Sequence, residues 1–449
     1  MWFPLAGIPQ LVEQGMAAYR EVFCREAGFE HVSRYVTGLL LSANKTLEGI
    51  HAQQVWPEGQ ERSRRSMHTA VFEAPWDSEG LLPRHREVVS GYHRGRGLEV
   101  IGLDWTLIHH ERGSQIYATK RAYDYVEGRQ SNYQTLVTAV VANAQRVDGL
   151  AVEVQVPDYG EQERDYLAMN AEPEYQQLEA AQQRVVELLH YHKNRLSYRK
   201  RTEIAVEIVT QLEAEGHYPQ ASYAFDNGVL SLPLTRQIEQ SGKHWVTELE
   251  CSRHIQWRGQ WQRVDQIGAE LRQHHPQSFR PLTVTPRNGE AKTYWAFSKT
   301  VRLKRYGRKR LVIVHEQEDL SDAPRFLLTD ALHWESKRVI RVWSYRWPVE
   351  IFHEAGKQAV GLESSQVRKE EAVKRHFRLS CVAQSLLQGI PAGGRSSERF
   401  KWVDDTQPTL GQKHYTLARE ALGQLLQLAE SMFDQGQSRE QVLERLMPA

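Results

Sequence analysis

At 449 residues the chain exceeds what one ordinary hydrophobic core holds, so two or three domains are expected. Its 40% hydrophobic and 25% charged residues are those of a soluble globular protein, and no run of roughly 18 apolar residues offers a membrane span. A net charge of +1 excludes recognition of nucleic acid by overall basicity and leaves only local clusters for that purpose.

Two such clusters stand out, HYHKNRLSYRKR (190–201) and VRLKRYGRKR (301–310). Solvated faces produce such runs more often than DNA grooves do, and acidic tracts such as EQERD and EQEDLSD offset them. Cys24, Cys251 and Cys381 lie far apart without CxxC spacing, which points to a reducing cytosol and gives no sign of a zinc site. The opening MWFPLAGIPQLVEQG lacks the basic segment and apolar core of a secretory signal.

In chain order, residues 1 to about 90 read as short helices. EHVSRYVTGLLL places Val32, Tyr35, Val36, Leu39 and Leu40 on one face, and Ser42 or Asn44 can cap a following helix, KTLEGIHAQ. This suits a helix-turn-helix and equally any small bundle. GLEVIGLDWTLIHH then predicts a buried strand, Leu98 to Ile108, with Asp104 in its middle. YQTLVTAVVANAQ and GLAVEVQV predict a hairpin turning at Arg146-Val147-Asp148-Gly149. A long helical stretch from Pro173 to about Gly216 is expected to break near the first basic run. ASYAFDNG is a short strand ending on Asp226, LPLTRQIEQSG a helix and KHWVTELE another strand.

From Cys251 to Leu332 the pattern is β-rich, with Gly307 in a hairpin turn. ESKRVIRVW is helical and leads into SYRWPVEIFHEAGKQ, where Pro348 belongs near a helix start and puts Glu350 in the first turn. Glu350 and Lys357 then share a face two turns apart. Taken alone, Glu350 has a bland explanation, since a first-turn carboxylate favours the positive end of the helix dipole. EEAVKRHFRLSCVAQSLLQG is an amphipathic helix, and IPAGGRSS a linker before a helical tail.

The order strand, hairpin, helix, strand, helix, strand resembles a ribonuclease H-like core. An acid inside the first strand, one at the end of the next parallel strand and one on a later helix would line an oxygen cup for two divalent ions about 3.5–4 Å apart. Magnesium suits such a cup because it takes few carboxylates and keeps several waters. A charge inside a strand is costly without a partner or metal, so Asp104 asks for a reason. Asp226 has an easier alternative, since Asp-Asn-Gly is also a turn signal.

IGLDWT, YAFDNG and RWPVEIFHEAGK together resemble the DDE transposases of bacterial insertion sequences, in the group with a Tyr-x-x-Arg-x-x-x-Glu-x-x-x-x-x-x-Lys signature. The insertion sequence 701 family is the nearest, since KQAVGLESSQVR resembles its continuation. The resemblance covers roughly Val36 to Gln388. It implies an α/β fold: a ribonuclease H-like core in two parts (93–250 and 334–390), a β-rich insertion domain (251–333), a helical DNA-binding domain (1–92) and a helical tail (391–449). It implies Asp104, Asp226 and Glu350 as catalytic and metal-binding acids, holding two Mg2+ ions that Mn2+ can replace. Arg346 and Lys357, four before and seven after Glu350, would contact DNA phosphates; Trp343 stands at the signature's tyrosine, with Tyr345 two residues later. Glu354 and Glu363 are rival third acids that those offsets disfavour. Further DNA contacts are expected from Arg302, Lys304 and Arg305, and base stacking from Trp257 and Trp261, because WRGQW lies in polar surroundings.

The implied activity is binding of terminal inverted repeats, cleavage at the transposon ends and attack of the freed 3′-hydroxyl on target DNA. A dimer on double-stranded DNA, in the bacterial cytoplasm with the nucleoid, is expected. A catalytically silent or domesticated DNA-binding descendant, and a ribonuclease H-like nuclease that does not join ends, remain alternatives.

Overall fold

One mixed sheet organises the chain from residue 100 to residue 329. The computed structural model describes residues 3–56, 59, 61–110, 113, 115–125, 127–168, 178–287, 289–393 and 408–447. Among these, the strands are β1 (Val100–His109), β2 (Lys120–Asp124), β3 (Arg129–Ala142), β4 (Val147–Gln155), β5 (Ser222–Phe225), β6 (Trp245–Glu248), β7 (His254–Trp257), β8 (Gln260–Arg263), β9 (Arg280–Val284), β10 (Lys292–Leu303), β11 (Gly307–His315) and β12 (Arg325–Thr329). Their order is β2-β3-β1-β5-β6-β12-β11-β10-β7-β8, with β4 on β3 and β9 on β10.

β1 is central because both its faces are covered. β3 runs antiparallel along one edge and β5 parallel along the other, with β6 parallel beyond it. The outer edge of β3 is shared, Arg129–Tyr133 pairing with β2 and Thr135–Ala142 with β4. Odd positions of β1, Ile101 and Leu103, face the helices Arg201–Glu215 and Leu232–Gln240 through Ile204, Ile208, Leu234 and Ile238. Even positions face the helices Ser336–Ser344, Pro348–Ala359 and Glu370–Gly389, where Val349, Phe352 and Phe377 pack. A β-strand presents alternate residues to opposite faces, so this split follows from the sequence parity.

The β-rich segment joins the same sheet edge to edge, since Leu327, Leu328 and Thr329 of β12 pair with Glu248, Thr247 and Val246 of β6. It also contains a helix, Val264–His274, that the strand-rich reading did not anticipate; Val264, Ile267 and Leu271 recur at helical spacing on its buried face. The N-terminal helices form a third core with Glu370–Gly389 and the C-terminal helix Leu410–Asp434. Gln424 Nε2 donates to the Ile8 carbonyl at 2.9 Å, so this C-terminal helix docks on the N-terminal region.

Three local expectations need correction. Thr46, not Ser42 or Asn44, caps the helix Leu47–Ala52, and Asn44 instead accepts from Thr46. The β3–β4 turn closes earlier, at Asn143–Arg146, while Val147, Asp148 and Gly149 lie in the β4 ladder. Asp148 reads as a turn residue but is fully buried between Arg146 (2.6 Å) and His93 (2.8 Å). β2 was also missed. The expected helical stretch from Pro173 is described from residue 178, as helices Leu178–Ser197 and Arg201–Glu215 with the break at 198–200; residues 169–177 lie outside the described residues, as do 394–397 of the expected linker.

Candidate active site

Parallel register brings the two aspartates side by side. Leu103 of β1 is level with Phe225 of β5, so Asp104, in the middle of β1, lies beside Asp226, the first residue past the carboxyl end of β5. Ligand sites of open α/β sheets sit at this edge. Asp104 Oδ1 accepts from the Trp105 amide at 2.8 Å, and Asp226 Oδ1 from the Val229 amide at 3.2 Å. The Asp-Asn-Gly turn and the acid are therefore the same feature, because the carboxylate that shapes the turn is held at the pocket.

Glu350 arrives on the helix Pro348–Ala359, whose first turn lies directly on β1. Gly102 makes this possible: a Cβ there would lie 2.2 Å from Val349 Cγ2. A second tie is polar. Thr138 Oγ1 on β3 donates to the Asp104 carbonyl (3.2 Å) and sits 2.7 Å from His353 Nε2, three residues after Glu350. Thr138 has one proton and gives it to the carbonyl, so His353 donates through Nε2–H. Burial pushes the His353 pKa down to about 3, with Lys357 adding to it, so the ring is neutral.

Burial first, then the neighbouring charge of Asp226, push the Asp104 carboxyl up to about 7; Glu350 acts in the same sense, against the Trp105 amide and Arg346. Two neighbouring carboxylates thus oppose ionisation of the largely buried Asp104, which is the condition a divalent cation relieves. An all-oxygen donor set fits Mg2+ or Mn2+. Arg346 occupies the space between the acids, with its guanidinium 2.6 Å from Glu350 and 3.9 Å from Asp104. Trp343 lies under that guanidinium at 5.4 Å, giving the ring at the signature's tyrosine position a cation–π role, while Tyr345 is buried. Lys357 reaches back to β1, donating to the Leu107 carbonyl (2.6 Å) and pairing with Glu363 (3.1 Å). Of the rival acids, Glu354 accepts from Gln358 on the exposed side of the helix, and Glu363 is held by Lys357 and the His109 amide.

The other predicted contacts are not brought here. Trp257 is 3% exposed, packed against Phe297 and under Lys299, so it is a core residue and not a stacking platform. Its partner Trp261, 46% exposed, lies on β8 at the far edge of the sheet. Arg302, Lys304 and Arg305 are exposed at the β10–β11 hairpin end. At about 4.8 Å per strand, β10 lies roughly 24 Å from β1.

Sequence reasoning missed three features near the acids. Trp347, just before the helix, is 57% exposed; Arg201, at the end of the first basic run, stacks over Trp105 at 4.1 Å; and the end of β1 meets β2 through His109. Among the described residues, the one group of three potential ligands with all donor atoms within 4.8 Å of one another is His109, Asp124 and Glu127, so the three signature acids are more widely spaced. The paired histidines of LIHH were the signal available in the sequence.

No match is found among curated proteins. The chain matches the family described as DDE superfamily endonuclease over residues 19–302, a span that includes Asp104 and Asp226 and ends before Glu350. That span is well over half of the 449 residues, and the chain belongs to the DDE superfamily endonucleases.

Proposed function

We propose that the protein is a DNA transposase that cleaves the ends of a mobile element and joins them to target DNA, with Asp104, Asp226 and Glu350 as its catalytic acids. The observation that carries this reading is the convergence of Asp104 and Asp226, level on adjacent parallel strands, beneath a helix that presents Glu350, with burial and Asp226 opposing the charge on Asp104. Nearest kin in the insertion sequence 701 family, and the Tyr-Arg-Glu-Lys signature group, belong to the same proposal.

Two Mg2+ ions, replaceable by Mn2+, would supply Lewis-acid stabilisation of the attacking and leaving oxygens. In the cleavage step water attacks the phosphodiester in line; the P–O bond to the 3′ oxygen breaks, leaving a 3′-hydroxyl and a 5′-phosphate. In the joining step that hydroxyl attacks a target phosphodiester, forming a new P–O bond while the bond to the target's own 3′ oxygen breaks and that oxygen leaves as a 3′-hydroxyl, so one pocket serves both reactions. Arg346 acts as a counter-charge in the resting site. An incoming phosphate draws its guanidinium away from Glu350, which frees the carboxylate as a ligand. Lys357 offers a point charge to a phosphate on release from the Leu107 carbonyl and Glu363. Trp347 and Trp261 are exposed tryptophans that would offer base stacking, and Arg302, Lys304 and Arg305 would follow the duplex away from the cut. Two ends need two sites, hence a dimer on DNA.

A strand-transfer assay with pre-cleaved duplexes and a cleavage assay with intact ones, both carrying the repeats that flank the gene, test the reading. Joined product in Mg2+ that disappears with Asp104→Asn, while DNA binding persists, supports it. Cleavage without joining would leave a ribonuclease H-like nuclease, and full-rate cleavage by the Asp104→Asn variant would remove the site assignment.

A further inference from the structure

The second histidine-containing cluster lies outside the acid pocket. His109 is the last residue of β1, Asp124 the last of β2, and Glu127 sits in the turn entering β3. His109 Nε2 is 2.7 Å from Asp124 Oδ2 and 3.8 Å from Glu127 Oε1, and all three donor atoms fall within 4.8 Å of one another. On the opposite side of the ring, Nδ1 is 3.5 Å from Glu363 Oε1. We propose that His109, Asp124 and Glu127 form a second metal site, for one divalent ion of the zinc or manganese class, with Glu363 orienting the imidazole from behind.

Four features argue for an ion over an accidental meeting of charges. An imidazole sets this group apart from a run of surface carboxylates, and a nitrogen with two oxygens selects Zn2+ or Mn2+ over Mg2+. Metal-bound histidines commonly give their other N–H to a carboxylate, and Glu363 lies on that side of the ring, 3.5 Å from Nδ1. Asp124 is 1% exposed, so its charge must be balanced inside the protein, and His109 faces it. The Glu127 amide donates to Asp124 Oδ1 at 3.3 Å, and Arg129 holds the outer oxygen of Glu127 at 2.7 Å, so the turn is shaped with its carboxylate beside the ring. An ion there would clasp β1 to the β2–β3 turn. Glu363 also holds Lys357, so the clasp would fix the rear of the acid pocket as well.

The inference does not depend on strand transfer. Its test uses the full chain with the pocket silenced as Asp104→Asn, Asp226→Asn and Glu350→Gln, stripped with chelator and titrated with Co2+ as the probe, then Zn2+ in competition. One equivalent of Co2+ with visible d–d absorbance is expected, displaced by Zn2+. His109→Ala should abolish it, and Glu127→Gln, in an exposed turn and expected to fold, should weaken it at least about tenfold. A silenced protein that takes up no Co2+, or equal affinity with and without Glu127→Gln, would overturn the proposal and leave a histidine–aspartate hydrogen bond. If His109→Ala fails to fold, Glu127→Gln decides.

Discussion

Asp104 carries the energetic tension of the pocket. A carboxyl whose pKa rises on folding from 3.8 to about 7 binds its proton more tightly in the folded chain. Its contribution to metal-free stability is therefore fully present below about pH 4 and is lost as pH climbs through 7, by up to about 4 kcal/mol. Thermal melts in chelator should show Asp104→Asn more stable than the native protein at pH 8, with the gap closing by pH 4. Ions must displace that proton, so calorimetric affinity for Mn2+ at the acids should fall about tenfold per pH unit below 7. Thr138→Val breaks the link between His353 and the Asp104 carbonyl; it should cost about 1–3 kcal/mol in denaturant unfolding and slow cleavage, since the buried His353 donor loses its partner. At this scale much was legible. A charged residue inside VIGLDWTL, and an arginine and a lysine at fixed offsets from Glu350, singled out Asp104 and Glu350 as candidates. Thr138 and His353 were silent, because a threonine in a strand and a histidine on a helix are ordinary until register places them together.

At the scale of elements, the helix that carries Glu350 depends on a missing side chain. Gly102→Val would drive a branched group into Val349 and lift the helix from β1. Overpacking should cost about 1–3 kcal/mol and lower cleavage, and Val349→Ala in the same chain should restore part of both; a double-mutant cycle measures the coupling. The strands β1, β3, β5 and β10–β12 were readable because runs of β-branched residues bounded by turn residues have few other uses. β2 was not, since KRAYD has a single aromatic and no apolar alternation, and it exists only because β3 extends beyond β4 to offer it an edge. The aspartate and glycine at 148–149 misled in the opposite sense: a favourable turn pair was kept in a strand by the Arg146 and His93 contacts and by a Gly149 against which Phe352 and Cys381 pack.

Across the whole molecule, one continuous sheet ties the β-rich segment to the acids, and the C-terminal helix ties the N-terminal bundle to the core. Leu417 is fully buried in that bundle, so Leu417→Ala should destabilise the protein by about 2–5 kcal/mol in chemical denaturation without altering metal binding at the acids. The hairpin cations lie roughly 24 Å from β1, about seven base pairs at 3.4 Å each. Replacing Arg302, Lys304 and Arg305 by alanine should weaken binding of long end duplexes and flatten its salt dependence by up to about three phosphate contacts. Duplexes extending fewer than about seven pairs from the cut should bind equally well. The most direct measurement of the central claim is anomalous scattering from Mn2+ in crystals of the protein with end DNA. The account predicts Mn2+ among Asp104, Asp226 and Glu350, with Arg346 turned from Glu350 to a phosphate. Glu350 still paired with Arg346, and no ion shared by the two aspartates, would contradict it.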